Sequence, residues 1–278
     1  MAYEYNGKIR SPLGCYIGGK SRLARAIISR IPAHSCYIEP FCGGAWVFFR
    51  KSRSDREILN DINGDVINFY EQIRDNLAGF IARTRFCLAS RVLFEKFRRE
   101  GMDGLNNLER AFRYWYMLKC SYGGRMFNPG RKGHPGKKAR YEPSFSPMVS
   151  NFRGRNHNLV FRLEEVRGWH ERLRNVIFEA QPWREIIRRR DGAASFFYID
   201  PPYHGMESYY GPYFRREEFE EMAVLLAGIQ GRFILSINDN AATREIFRAF
   251  NIEPVGTTYT FNSASQQKRR AELLITNF

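Results

Sequence analysis

The sequence predicts an open, mainly parallel α/β sheet broken by a large basic insertion, and three observations carry that reading. Short apolar runs at 36–39, 57–60, 196–199 and 233–237 alternate with stretches of helical periodicity, the pattern of parallel strands joined by crossover helices. Three runs end in a turn or carboxylate suited to a ligand: Glu39 enters Pro40-Phe41-Cys42-Gly43-Gly44, Asn60 enters Asp61, and Ile199 enters Asp200. Between residues 63 and 159 the alternation stops, and aromatic and basic residues accumulate.

Taken in order, Gly18-Gly19-Lys20 opens a helical stretch over 21–31 that Pro32 ends. Strand 36–39 leads through its glycine turn into a helix over 45–51. Strand 57–60 ends at Asp61, and a helix over 64–77 follows. Residues 78–120 read as helices. Residues 121–147 read as a loop or hairpin, because Gly, Pro, Lys and Arg crowd there. The α/β alternation returns with strands at 176–178 and 196–199, a helix over 217–226, a strand at 233–237 and a helix over 242–250. A strand pair near 253–260 and 272–276 closes the chain. Residues 1–62 and 160–278 then form one α/β domain, and 63–159 an insertion.

Composition narrows the partners. With 278 residues, 44% hydrophobic and 15% aromatic, the chain can bury a core and is not globally disordered. It carries 44 Lys and Arg against 29 Asp and Glu, a net charge of +15, which favours a polyanion and above all nucleic acid. No apolar run approaches a membrane span and no signal peptide opens the chain, so the expectation is a cytoplasmic protein without a membrane partner. The five cysteines include no Cys-x-x-Cys pair, so free thiols are expected and neither a disulfide framework nor a metal site.

Ligands of open α/β sheets bind beyond the carboxyl ends of the strands. Gly43 and Gly44 let backbone approach a ligand closely, and Asp61 at the next strand end suits ribose hydroxyls. The competing reading of Asp61 is a helix cap. The pair favours an adenosine-containing ligand, while the absence of Gly-x-x-x-x-Gly-Lys-Ser/Thr argues against ATP hydrolysis.

Asp200-Pro201-Pro202-Tyr203 is the most specific signal. Two prolines remove two backbone donors and fix φ at both positions. The polar groups left are acceptors, the Asp200 carboxylate and a backbone carbonyl. An exocyclic NH₂ group is the complementary pair of donors, and two such bonds would orient its lone pair for attack. Tyr203 offers a stacking face to a base.

On these residues the chain resembles the Dam-like, D12-class family of DNA adenine-N6 methyltransferases. The matching pieces are Gly18-Gly19-Lys20, Glu39-Pro40-Phe41-x-Gly43-Gly44, Asn60-Asp61-Ile62-Asn63, Asp200-Pro201-Pro202-Tyr203, Ser236-Ile237-Asn238-Asp239 and 272–277, in the family's order. The resemblance implies a Rossmann-like methyltransferase sheet with helices on both faces. It implies S-adenosyl-L-methionine as cofactor, S-adenosyl-L-homocysteine as product and double-stranded DNA as substrate. Tyr16 and Lys20 would line the cofactor site. Glu39, Phe41, Gly43 and Gly44 would hold the methionine half and the adenosine edge, with Asp61 on the ribose and Ile62 on the adenine. Asp200 would bind the target amine beside the cofactor.

The resemblance also implies that 63–159 is a mostly helical target-recognition domain ending in a basic loop or β-hairpin. Arg125, Arg131, Lys132, Lys137, Lys138 and Arg140 are candidates for phosphate contact, and Tyr122, Arg125 and Asn128 for base edges or the gap left by an extruded base. Residues 119–128 follow the GATC-reading members only loosely, so no recognition sequence is implied. A monomer is expected. The acceptor pair alone would also serve cytosine N4 or a protein glutamine amide, and a catalytically silent DNA-binding module is the reading from another class.

Overall fold

The computed structural model describes residues 9–16, 18–128, 140–141, 143–146, 163–206, 214–258 and 269–278. Seven strands form one sheet: β1 (Cys36–Glu39), β2 (Arg56–Asn60), β3 (Val176–Glu179), β4 (Ser195–Ile199), β5 (Arg232–Asn238), β6 (Asn251–Thr258) and β7 (Arg269–Thr276). Their order across the sheet is β3-β2-β1-β4-β5-β7-β6. The first five are mutually parallel, and β7 runs antiparallel to both β5 and β6. The chain steps outward from β1 to β3 and then returns to β4 on the other side of β1. That reversal opens a crevice at the carboxyl ends of β1 and β4.

The inner strands point alternate residues to opposite faces, and each face buries its own helices. Tyr37, Leu59, Phe196, Tyr198 and Ile234 face a core shared with α1 (Ala24–Ile28), α2 (Gly64–Asp75), α5 (Asn107–Cys120) and α6 (Leu163–Leu173). Ile38, Ile58, Phe197, Ile199 and Leu235 face α7 (Trp183–Arg190) and α8 (Glu218–Ala227), with Phe247 beyond α9 (Ala241–Ile246). A large side chain buried this completely stabilises by roughly 1.5–3 kcal/mol, so the two faces together favour the doubly covered sheet that the sequence predicts.

Between β2 and β3 the chain adds α3 (Leu77–Thr84) and α4 (Arg91–Glu100), which pack on α5 as α5 packs on α2. The helices start where polar side chains cap them. Asn63, Ser90 and Asn106 accept backbone N–H groups at the starts of α2, α4 and α5. A short antiparallel ladder pairs Phe127 with Tyr141 and Asn128 with Arg140, within the stretch read as a loop or hairpin. Arg131, Lys132, Lys137 and Lys138 lie outside the described residues.

Four helices depart from expectation, the first being the stretch over 21–31, which is helical only in α1 and turns on either side of it. The stretch 45–51 forms turns, not a helix. Ala45 sits at φ 47°, a left-handed conformation that helices exclude, and the Phe48 N–H is diverted to the Glu39 carboxylate at 2.9 Å. The helix expected over 64–77 divides at Asn76, whose φ of −133° leaves the helical region. The helix expected over 242–250 ends at Ile246, where Phe247 and Phe250 turn inward to pack on each other.

Candidate active site

The crevice contains every residue expected at the cofactor site. Tyr16, Lys20, Glu39, Phe41, Gly43 and Gly44 line one cleft together with Asp61, Ile62 and Asp200. The cleft holds about 980 Å3, including the open space at its mouth. Pro202 lines it as well. Pro201 is buried, and the Tyr203 ring lies 4.7 Å from Lys20 Nζ.

The wall from β1 is built around buried carboxylates. Glu39 is 1% exposed, and its Oε1 accepts from the Tyr37 hydroxyl at 2.6 Å and from Phe48 N–H at 2.9 Å. Burial pushes its carboxyl up to about 8, although both donors favour the ionised form. Asp61 accepts from Gly43 N–H and from Asn63 N–H, each at 2.9 Å. Burial raises it to about 6 against those two bonds. Asp61 therefore ties the glycine turn of β1 to the end of β2, while Asn63 caps α2. Its two oxygens keep lone pairs for further donors such as hydroxyls. Gly43 is at φ 42°, and a Cβ there would lie 2.8 Å from the Tyr16 ring, so only glycine lets Tyr16 close over the turn.

The opposite wall is the end of β4. Lys20 Nζ donates to Asp200 Oδ1 at 2.6 Å and to the Gly18 carbonyl at 2.9 Å. Burial disfavours the charged Lys20 ammonium, yet Asp200 and Glu272 outweigh it and hold its pKa above the ordinary lysine value. Burial raises the Asp200 carboxyl, and Lys20 and the Ser236 hydroxyl oppose that rise. Ser236 Oγ donates to Asp200 Oδ1 at 3.1 Å. Asn238, two residues on and on the same face of β5, brackets the following loop. Its Oδ1 accepts from His204 N–H at 2.9 Å and its Nδ2 donates to the His204 carbonyl at 3.1 Å. Sequence reasoning named the 236–239 and 272–277 segments but missed Ser236, Asn238, Glu272 and Tyr198 as site residues. Their polarity inside otherwise apolar strands is the signal that identifies them.

Of the expected DNA contacts, Tyr122 and Arg125 are exposed next to Gly124, which itself lines the cleft. Asn128 and Arg140 are cross-strand partners. The five cysteines are free thiols. Among the described residues no group of three or more His, Cys, Asp or Glu could hold a metal, and no helix is long and apolar enough to cross a membrane.

Residues 16–261 match the family described as D12 class N6 adenine-specific DNA methyltransferase. The chain is 23% identical to the DNA adenine methylase of Escherichia coli strain K12, over 94% of this chain and 92% of that one. It is 24% identical to the type II methyltransferase M1.LlaDCHI of Lactococcus lactis subsp. cremoris, over 96% and 95% respectively. It is also 24% identical to the DNA adenine methylase of Haemophilus influenzae, over 95% and 92%. The match spans both walls of the cleft, from Tyr16 through Asp200 to the end of β6, and the chain belongs to the D12 class of N6 adenine-specific DNA methyltransferases.

Proposed function

We propose that the cleft binds S-adenosyl-L-methionine and that Asp200 and the Pro201 carbonyl present N6 of an adenine, extruded from double-stranded DNA, to its methyl group. The observation that carries this reading is the juxtaposition, in one cleft, of Asp61 and Gly43 on the β1–β2 side with Asp200 on the β4 side. The residues fit the cofactor. Asp61 retains acceptor capacity for ribose hydroxyls, Gly43 and Gly44 give a wall without side chains, and the acidic Glu39 suits the cationic methionine half. When bound, S-adenosyl-L-methionine supplies an electrophilic methyl on a sulfonium and leaves as S-adenosyl-L-homocysteine.

The chain's own residues then have distinct tasks. Asp200 and the Pro201 carbonyl accept the two N–H bonds of the amine, which aims its lone pair. Tyr203 stacks on the base, which lowers the cost of leaving the duplex. Asp200 is the nearest acceptor for the proton that the methylated amine sheds. Residues 63–159 act as the recognition domain, with Tyr122 and Arg125 beside the cleft mouth and the basic stretch on phosphates. The test is methyl transfer from labelled cofactor to duplex DNA followed by nucleoside analysis. Label in N6-methyladenine is the expected result. Label in N4-methylcytosine, or none in DNA with the cofactor bound, overturns the reading.

A further inference from the structure

We infer that Tyr198 and Ser236 form a buried relay that positions Asp200, fixing its Oδ1 so that Oδ2 faces the target amine. The inference rests on the proposed function and deepens it. Tyr198 is the penultimate residue of β4 and Ser236 lies in β5, the strand paired beside it. Tyr198 is 3% exposed and Ser236 fully buried. The Tyr198 hydroxyl lies 2.9 Å from Ser236 Oγ, and Ser236 Oγ lies 3.1 Å from Asp200 Oδ1.

Counting protons fixes the direction. A serine hydroxyl has one proton, and an ionised carboxylate has none. With Asp200 ionised, Ser236 donates to Oδ1, and its remaining partner, Tyr198, must donate to Ser236. Lys20 donates to the same Oδ1 at 2.6 Å. Oδ1 thus receives two donors, while Oδ2 receives none from a described residue. A carboxylate held by one oxygen cannot rotate to offer the other face without breaking both bonds. The oxygen left over is the one available to an NH₂ donor at the cleft, and the hydrogen bonds run in series, Tyr198 to Ser236 and Ser236 to Asp200.

Charged and titratable groups surround Asp200 from every neighbouring element: Lys20 from the N-terminal loop, Glu39 from β1, Glu272 from β7, and Tyr198 from β4 itself. Among them Lys20 and the Ser236 hydroxyl favour the ionised carboxylate. Removing the Ser236 donor therefore moves the Asp200 titration upward.

Carbon-13 titration of the Asp200 carboxyl and single-turnover methylation test this in wild type, Ser236→Ala, Tyr198→Phe and the double variant. Ser236→Ala should raise the Asp200 midpoint and slow transfer by about tenfold to a hundredfold, the worth of a hydrogen bond to a charged group. S-adenosyl-L-homocysteine affinity of Ser236→Ala should fall less than its transfer rate, because Ser236 does not line the cleft and Lys20 still holds Asp200. Tyr198→Phe should shift the midpoint less, in the same direction. The double variant should match Ser236→Ala, because the relay is serial. An unmoved midpoint in Ser236→Ala, or losses that add in the double variant, overturns the relay. Tyr198→Phe keeps the ring that fills the core, so its midpoint decides the case if Ser236→Ala does not fold. The titration needs no turnover, so a wild type that leaves adenine unmethylated overturns the proposed function and not the relay.

Discussion

Lys20 Nζ and Asp200 Oδ1 form a 2.6 Å ion pair that joins the N-terminal glycine loop to the end of β4. The lysine side chain is 2% exposed and the aspartate 19%. A buried ammonium is tolerated only while its partner remains. Asp200→Ala should therefore do two separable things. It should abolish methyl transfer, because the amine loses its carboxylate acceptor, and it should destabilise the fold by on the order of 3 kcal/mol, because Lys20 keeps a charge that Glu272 only partly balances. Adding Lys20→Met removes that charge, so thermal stability should recover while activity stays absent. Melting curves and a methylation assay on both variants check this. Retained turnover in Asp200→Ala would sink its catalytic assignment.

Glu39 makes stability depend on pH with an unusual sign. Its carboxyl is pushed from an ordinary 4.5 up to about 8 by burial. Between those two values the folded chain keeps a proton that the unfolded chain has lost. Stability attributable to this group is present below about 4.5 and declines as pH rises to about 8. Glu39→Gln cannot titrate, so its stability should vary less over that window and exceed the wild type's near the upper end. Denaturant midpoints measured from about pH 5 to about pH 9 decide it, and parallel curves for the two proteins would refute the assignment. The same variant should bind S-adenosyl-L-homocysteine more weakly only above about pH 8, where wild-type Glu39 is ionised and the amide stays neutral.

The walls of the cleft are legible in the sequence for a physical reason. Glu39, Asp61 and Asp200 each end a short apolar run, and strand ends of an α/β sheet are where ligands bind. The two-faced sheet is legible because alternate residues of each inner strand are apolar in both directions. What the sequence hides depends on register and on long-range competition for donors. The stretch 45–51 has a helical composition, but the Phe48 N–H finds the Glu39 carboxylate nine residues back and its carbonyl finds the Arg172 guanidinium. Ser236 is visible as a polar residue in a strand. That it meets Tyr198 and Asp200 follows only once β4 and β5 are aligned.

Tyr122 separates recognition from folding. It is 57% exposed, and it begins the short turn 122–124 that follows α5. Truncating an exposed side chain away from caps and cores changes stability by about 0.5 kcal/mol or less. Tyr122→Ala should therefore leave the melting temperature and cofactor affinity unchanged and lower kcat/KM for duplex DNA. A loss of stability with intact DNA methylation would place Tyr122 in the fold and remove it from the DNA-contact set.

Gly124 couples that turn to the N-terminal glycine loop. It lies at φ 68°, and a Cβ there would fall 1.9 Å from the Cys15 carbonyl oxygen. Cys15 Sγ in turn reaches the Leu118 carbonyl at 3.6 Å. The segment that bears Tyr16 and Lys20 is thus packed directly on the end of α5 and its turn. Gly124→Ala must push these pieces apart in addition to bearing the left-handed conformation. Gly101 is the contrast in open space: its φ is 71° and its ψ −153°, and nothing lies within 4 Å of a Cβ there. Gly101→Ala should cost roughly 1–3 kcal/mol of stability, the conformational term of a backbone region that is essentially glycine's own, with unchanged cofactor affinity. Gly124→Ala should cost roughly 1–3 kcal/mol more through the clash and weaken S-adenosyl-L-homocysteine binding by about tenfold through displacement of Tyr16 and Lys20. Calorimetric titration and thermal melts on the two variants check the contrast. Equal effects of the two substitutions on S-adenosyl-L-homocysteine affinity would mean that the turn and the N-terminal glycine loop move independently.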